Sequence, residues 1–137
     1  MIKICIVASK YYEDIISMLI DGANEALKNH KKKFKTKTIY VPGVFEIPYL
    51  ISKNIKRYDA FIALGCVIKG ETPHFDFISK SSVDAIMKLS IENKKPIGNG
   101  ILTCLNKDQA VERADKLNKN KGKEAVNAVI ELLTCDS

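Results

Sequence analysis

A chain of 137 residues, 46% hydrophobic and 28% charged, suits one domain with a real core, burying roughly 68% of its unfolded surface. Its 22 lysines and arginines against 16 acids leave a net charge of +6. That favours anionic ligands, but Arg57 and Arg113 are the only arginines and no groove-reading element is evident, so nucleic acid is not an expected partner. No run approaches the roughly 18 apolar residues of a membrane span, and Met1 to Ala8 is too short for a secretion signal.

Ile2 to Ala8 (IKICIVA) is short, apolar and β-branched, and predicts a buried strand. Glu13 to His30 places Ile15, Ile16, Leu19, Ile20, Ala23, Ala26 and Leu27 at helical spacing. Its acidic start (Glu13, Asp14) and basic end (Lys28, His30, Lys31) suit the helix dipole. The lysines from Lys31 to Lys37 read as a solvated turn, and His30 among them as surface. Phe34 to Val41 predicts a second strand, stopped by Pro42-Gly43, with a short helix from about Glu46 to Lys56.

Ala60 to Ile68 (AFIALGCVI) is the most apolar run and reads as a central strand buried on both faces. A helix is expected from His74 to about Glu92, with Thr72 as its N-cap and Pro73 as its first residue. Pro96 to Cys104 gives a fourth strand. Two helices follow, about Lys107 to Leu117 and Lys121 to Leu133, with a break over Asn118 to Asn120. This strand–helix alternation predicts a single α/β domain over residues 1–137, with a parallel sheet covered on both faces.

Cys5, Cys66, Cys104 and Cys135 are far apart and none has CxxC spacing, so no metal site is expected. Three lie in apolar strand-like runs as small hydrophobes, which suits a reducing cytoplasm.

Ligands of parallel α/β sheets bind outside the carboxyl ends of the strands. The informative residues are therefore Ser9 to Tyr12, Pro42 to Glu46, Lys69 to His74 and Thr103 to Asn106. Gly65 to His74 runs from strand into helix through a glycine turn and reads either as an anion site, with Lys69 adding charge, or as a plain capped turn. His74 at its mouth suits proton transfer, or merely packs or caps. Glu46 offers an acceptor for hydroxyls, or caps the next helix. Tyr11 and Tyr12 could stack on a planar ligand, or be surface aromatics.

Three stretches carry more. PGVFEIP at Pro42 to Pro48, GCVIKGETPHFDFI at Gly65 to Ile78, and GILTCLNKDQAVERA with NKG, at Gly100 to Ala114 and Asn120 to Gly122, closely resemble the lumazine synthase family. The resemblance spans nearly the whole chain, in order and with matching spacing. It implies a flavodoxin-like three-layer fold with a four-stranded parallel sheet, and a homopentamer with sites between neighbours. In some members twelve pentamers form a 60-subunit shell. It implies condensation of 5-amino-6-(D-ribitylamino)uracil with 3,4-dihydroxy-2-butanone 4-phosphate, losing phosphate and water, with no metal or organic cofactor.

Carried over residue by residue, the resemblance places Tyr11 where a phenylalanine usually stacks on the pyrimidine. Val44 and Phe45 should give backbone contacts, Glu46 should bind ribityl hydroxyls, and Val67 and Ile68 should meet the pyrimidine edge. Glu71 and Thr72 fall in the phosphate-binding turn, and His74 at the acid/base position. Arg113 and Lys121 should reach phosphate and substrate from the neighbouring subunit. Lys69 stands where arginine is common, and Asn99 where a phenylalanine often closes over the ring system. The chain begins at its first strand, without the N-terminal extension that pairs with a neighbour in some members, which bears on the shell and not on the pentamer.

Two other readings have weight from sequence: a different transferase or lyase acting on another phosphorylated sugar fragment, and a flavin- or lumazine-binding or shell protein without activity. A phosphorelay receiver needs acidic residues after the strands, where Ser9, Pro42, Lys69 and Cys104 stand instead.

Overall fold

The computed structural model describes residues 1–115, 117 and 119–135. Four parallel strands, β1 (Ile2–Ser9), β2 (Phe34–Val41), β3 (Ala60–Ile68) and β4 (Ile97–Cys104), form one sheet in the order β2-β1-β3-β4. This is the order of flavodoxin-like doubly wound sheets. All nine residues of β3 are buried, as its unbroken apolar run requires of a strand covered on both sides.

Successive side chains of a strand point to opposite faces. Ile62, Leu64 and Ile68 pack with helices α1 (Glu13–Asn29), α4 (Lys107–Ala114) and α5 (Lys121–Thr134). Phe61, Ala63 and Val67 pack on the other face, under α2 (Ile47–Lys53) and α3 (Phe75–Asn93). Cys5, Cys66 and Cys104 are buried free thiols in these strands, as expected of small hydrophobes. The chain runs outward from β1 to β2, then returns past β1 to β3. The carboxyl ends of β1 and β3 therefore flank the switch point where such sheets open a crevice.

Helix ends depart from expectation where a side chain competes with the backbone ladder. A 3-10 turn over Val44–Glu46 precedes α2, which stops at Lys53. There the Asn54 side chain donates to the Leu50 carbonyl at 2.9 Å. Helix α4 ends at Ala114 rather than Leu117, because the Asp115 carboxylate accepts the Leu117 N–H at 2.9 Å in an Asx turn. His30 is half-buried rather than solvated: its Nδ1 accepts the Lys32 N–H at 3.0 Å and its ring tilts against Phe34. Lys35 and Lys37 belong to the edge strand β2 rather than to a turn, and charge there discourages further strand pairing.

Of the expected break, Asn118 lies outside the described residues, and Asn120 is a buried clamp. Its amide donates to the Met18 carbonyl at 2.9 Å and to the Ala114 carbonyl at 2.7 Å. Its Oδ1 accepts the Lys123 N–H at 2.9 Å and so caps α5. Any Cβ at Gly22 would collide with the Asn120 side chain, and one at Gly122 with the Leu19 carbonyl. Gly122 thus lets the start of α5 approach the α1 backbone closely, and Gly22 leaves room for the Asn120 side chain. The motif NKG follows: Asn clamps, Gly permits contact, and Lys121 is left to project.

Candidate active site

A cavity of about 260 Å³ opens at the switch point. Tyr11 forms one wall just after β1, and Val44, Phe45 and Glu46 come from the 3-10 turn after β2. Val67 and Thr72 come from the end of β3 and the turn beyond it. Gly65 lets the walls close, since a Cβ there would stand 2.6 Å from Val44 Cγ2. Tyr11 and Phe45 are each 59% exposed, leaving two aromatic faces for a planar ligand. Glu46 makes no capping hydrogen bond to α2, so its carboxylate stays available to the cavity. The lining carries that one acid and no cation.

The turn from Lys69 to His74 forms the rim, and here the structure corrects the expected cap. Thr72 bridges back to Lys69 in a strand-like pairing, and Gly70 takes φ +84°, where glycine is favoured. The amides of Glu71 and Thr72 both donate to the Ile68 carbonyl, at 3.3 and 3.2 Å. His74 takes the left-handed conformation (φ 58°), so α3 begins at Phe75 with His74, not Thr72, in the cap position and without a side-chain cap. Tyr12 does the same at the start of α1 (φ 61°). Of the three helices that start beside the cavity, α1 and α3 thus begin on a left-handed, uncapped residue, while α2 follows Glu46 in the right-handed region. By contrast, α4 and α5 are capped by Asn106 and Asn120. Left-handed non-glycine residues store strain, and such strain gathers at functional sites. Free N–H groups at a helix start favour anions.

A second cleft, of about 230 Å³, lies at the β4 edge. Arg113, Lys119 and Lys121 line it with a single acid, Glu124, and Thr103. Arg113, from the last turn of α4, is steadied by a bond from Nη1 to the Thr103 carbonyl at 3.3 Å and a longer contact to Cys104 Sγ at 3.6 Å. Burial pushes the Cys104 thiol up, with the Arg113 charge opposing. Lys121 is half-buried and 3.5 Å from Glu124.

The sequence-predicted residues therefore divide. Tyr11, Val44, Phe45, Glu46, Val67 and Thr72 meet in the cavity, and Arg113 and Lys121 in the separate cleft. Glu71 and His74 stand exposed on the rim turn. Ile68 is fully buried beside Val67. Asn99 is exposed on β4, where its Oδ1 accepts the Ile101 N–H at 3.1 Å. Sequence reasoning missed Cys66 and Ile78 in the cavity and Glu124 in the cleft, while Pro73 and Thr103 fell in the post-strand segments it marked without a role of their own. Position after β4 was a usable signal for Thr103, but Glu124 is placed only by the docking of α5.

Among the described residues no cluster of three or more His, Cys, Asp or Glu side chains is placed to hold a metal, and no helix is long and apolar enough to cross a membrane. A switch-point cavity with aromatic walls and a free carboxylate, on a doubly wound parallel sheet, defines a small-molecule enzyme of the α/β class. Comparison with known proteins makes this specific. The sequence model of the 6,7-dimethyl-8-ribityllumazine synthase family matches residues 1–136. Enzymes of that name from Sulfurimonas denitrificans and Bartonella tribocorum are 40% and 43% identical, over 96% and 93% of this chain and 87% and 85% of their own. The one from Sphingopyxis alaskensis is 42% identical over 97% of this chain and 94% of its own. The chain belongs to the 6,7-dimethyl-8-ribityllumazine synthase family, transferases of riboflavin biosynthesis.

Proposed function

We propose that this chain joins 5-amino-6-(D-ribitylamino)uracil to 3,4-dihydroxy-2-butanone 4-phosphate, in sites formed between neighbouring copies of a cytoplasmic homopentamer. The observation that carries this is the division of the site. The cavity has aromatic walls and one carboxylate but no cation, and the cations stand in another cleft of the same chain. Each is smaller than the roughly 300–1,000 Å³ of ordinary small-molecule sites. A phosphorylated substrate needs both, so the cleft of one copy completes the cavity of the next. Helix α3 supports the same reading. Phe77, Met87 and Ile91 are 65%, 58% and 67% exposed along it, an apolar surface suited to a second copy.

In this reading the pyrimidine stacks on Tyr11, with Val67 and Ile68 at its edge and the ribityl hydroxyls on Glu46. The phosphate lies at the Glu71–Thr72 turn and faces Arg113 and Lys121 of the next copy. The pyrimidine's amine attacks the ketone and water leaves as the imine forms. Phosphate then departs as the carbon chain is deprotonated, leaving an enol that becomes a ketone, and the second amine closes the ring on that carbonyl with loss of a second water. His74 moves the protons, typically worth 10²- to 10⁴-fold. Holding the two reactants together contributes on the order of 7–11 kcal/mol. No step calls for a metal or organic cofactor.

Complementation tests the shared site. Glu46→Ala and Arg113→Ala are each expected to lose most lumazine formation, followed by fluorescence. When both are co-assembled in equal amounts, about a quarter of the interfaces pair an intact cavity with an intact cleft, as heterologous contacts in a ring require. Activity should return to that extent. No recovery in mixed assemblies would place the whole site within one chain. Light scattering on the same protein distinguishes a pentamer from a 60-subunit shell.

A further inference from the structure

A hollow of about 530 Å³, against about 260 Å³ for the switch-point cavity, lies toward the other end of the sheet. Its walls include Lys3 from β1, Lys35 and Lys37 from β2, and Lys56, Arg57 and Tyr58 from the turn after α2. From Lys3 to Ser9, at the carboxyl end of β1, the strand runs about 20 Å. Side chains alternate in face along a strand, and Cys5 and Val7 of β1 with Ile39 and Val41 of β2 pack on the side of α2 and α3. Lys3, Lys35 and Lys37 fall on that same face, yet all three are exposed, because the short α2 leaves this part of the sheet uncovered.

The cluster is costly. Lys3 pairs with Lys35 in the register, with Lys37 about 8 Å away on the diagonal. Like charges side by side on neighbouring strands are destabilising. Protection of a sheet edge accounts for lysines on β2, but not for Lys3 on the interior strand β1, nor for Lys56 and Arg57. Among the described residues no acid lines the hollow, and none of its five cations forms an ion pair. The adjacent Asp59 carboxylate accepts the Lys3 backbone N–H at 2.8 Å. Even with Asp59 counted against the five cations, an excess of four remains.

We propose that this hollow binds an oligophosphate such as inorganic triphosphate, at a site separate from the catalytic one. Its size falls within the roughly 300–1,000 Å³ of small-molecule sites. A single phosphate would leave most of the charge unanswered, whereas linked phosphates spread theirs across the lysines. Arg57 can grip two phosphate oxygens at once, and the lysines act as point charges. The one aromatic wall, Tyr58, is half-buried with its ring edge-on to Phe61, centroids 5.8 Å apart, so the site reads phosphates rather than a base. Repulsion between Lys3 and Lys35 holds the charges ready, and the bound anion relieves it.

Calorimetry with inorganic triphosphate at about 0.15 M salt tests this. An Arg113→Ala background disarms the basic cleft, so that the hollow is read alone. One site per chain is expected. In that background Lys35→Gln with Lys37→Gln should weaken binding at least about tenfold, and Arg57→Gln about three- to tenfold. Lys31→Gln with Lys33→Gln removes the same charge outside the hollow and should change affinity less than about twofold. Adenosine triphosphate should bind within about twofold of inorganic triphosphate, and inorganic phosphate at least about tenfold more weakly. Without ligand, Lys35→Gln should melt no lower than its parent, because repulsion is relieved; triphosphate should raise the parent's melting temperature and not that of the Lys35/Lys37 double variant. No binding at millimolar triphosphate, an equal loss in the Lys31/Lys33 pair, or a lower melting temperature in Lys35→Gln would overturn the site. So would adenosine triphosphate binding far more tightly than triphosphate, or poly(U) RNA or phosphatidylserine vesicles binding where triphosphate does not.

Discussion

Replacing Asn120 by alanine should be among the most damaging single changes to this fold, although the residue sits in what reads from sequence as a loop. Its side chain is 1% exposed and makes three hydrogen bonds, to the carbonyls of Met18 and Ala114 and from the N–H of Lys123. At about 1 kcal/mol each, their loss amounts to about 3 kcal/mol. That is a large share of the 5–15 kcal/mol that holds a typical domain together. With about 2.1 cal/mol/K of unfolding entropy per residue, it lowers the melting temperature by about 10 °C. Urea unfolding at fixed protein concentration measures the change, because the proposed assembly would make stability depend on concentration. Asn120→Asp sharpens the test. It keeps the acceptor that caps α5 but turns a carboxylate toward two carbonyls, so at neutral pH it should be no milder than alanine. A loss under 1 kcal/mol for alanine, or an aspartate variant near wild type, would refute the clamp.

Four further outcomes follow from the described structure. His74→Ala should slow lumazine formation on the order of 10²-fold without abolishing it, because the reactants are still held together; unchanged turnover would remove His74 from the chemistry. Gly122→Ala, whose Cβ meets the Leu19 backbone, should cost about 1–3 kcal/mol in urea unfolding through forced separation of α1 and α5. Gly70→Ala, at φ +84° with open space around it, should cost about 1 kcal/mol through backbone strain alone. Burial pushes the Cys66 thiol up to about 12 and the Cys5 thiol up to about 11, from an ordinary value of 9.0. Above pH 9 the unfolded chain therefore sheds protons that the folded chain keeps, so stability should fall as pH rises from 9 through that window. A flat urea midpoint over that range, or a slope unaltered in Cys66→Ala, would contradict the assignment.

The strands and the layering were legible because continuous β-branched apolar runs, separated by helical periodicity, admit few arrangements. β3 is the plainest case, with nine apolar or small residues and all nine buried. Helix ends were not legible, because they turn on single side chains: Asn54 and Asp115 each divert the backbone where the apolar pattern continues. The expected cap at Thr72-Pro73 followed a sound rule and still failed, since a left-handed His74 leaves no trace in composition. The cavity was legible as three post-strand segments. The separation of the Arg113 cleft from that cavity was implied only by the family resemblance, because physically it depends on how α4 and α5 dock on β4. Asn120 looked like a loop residue, since nothing local announces a partner 102 positions away at Met18.

The separation of cavity and basic cleft within one chain bears on genetics as well as chemistry. In the proposed ring each copy lends its cavity to one neighbour and its cleft to the other. An allele damaged only at Glu46 therefore spoils one interface per copy, while an allele damaged at both Glu46 and Arg113 spoils two. In a cell carrying a healthy gene as well, the doubly damaged product poisons more than its share of catalytic centres. Its dominance should exceed that of either single lesion, although all three are equally inactive alone.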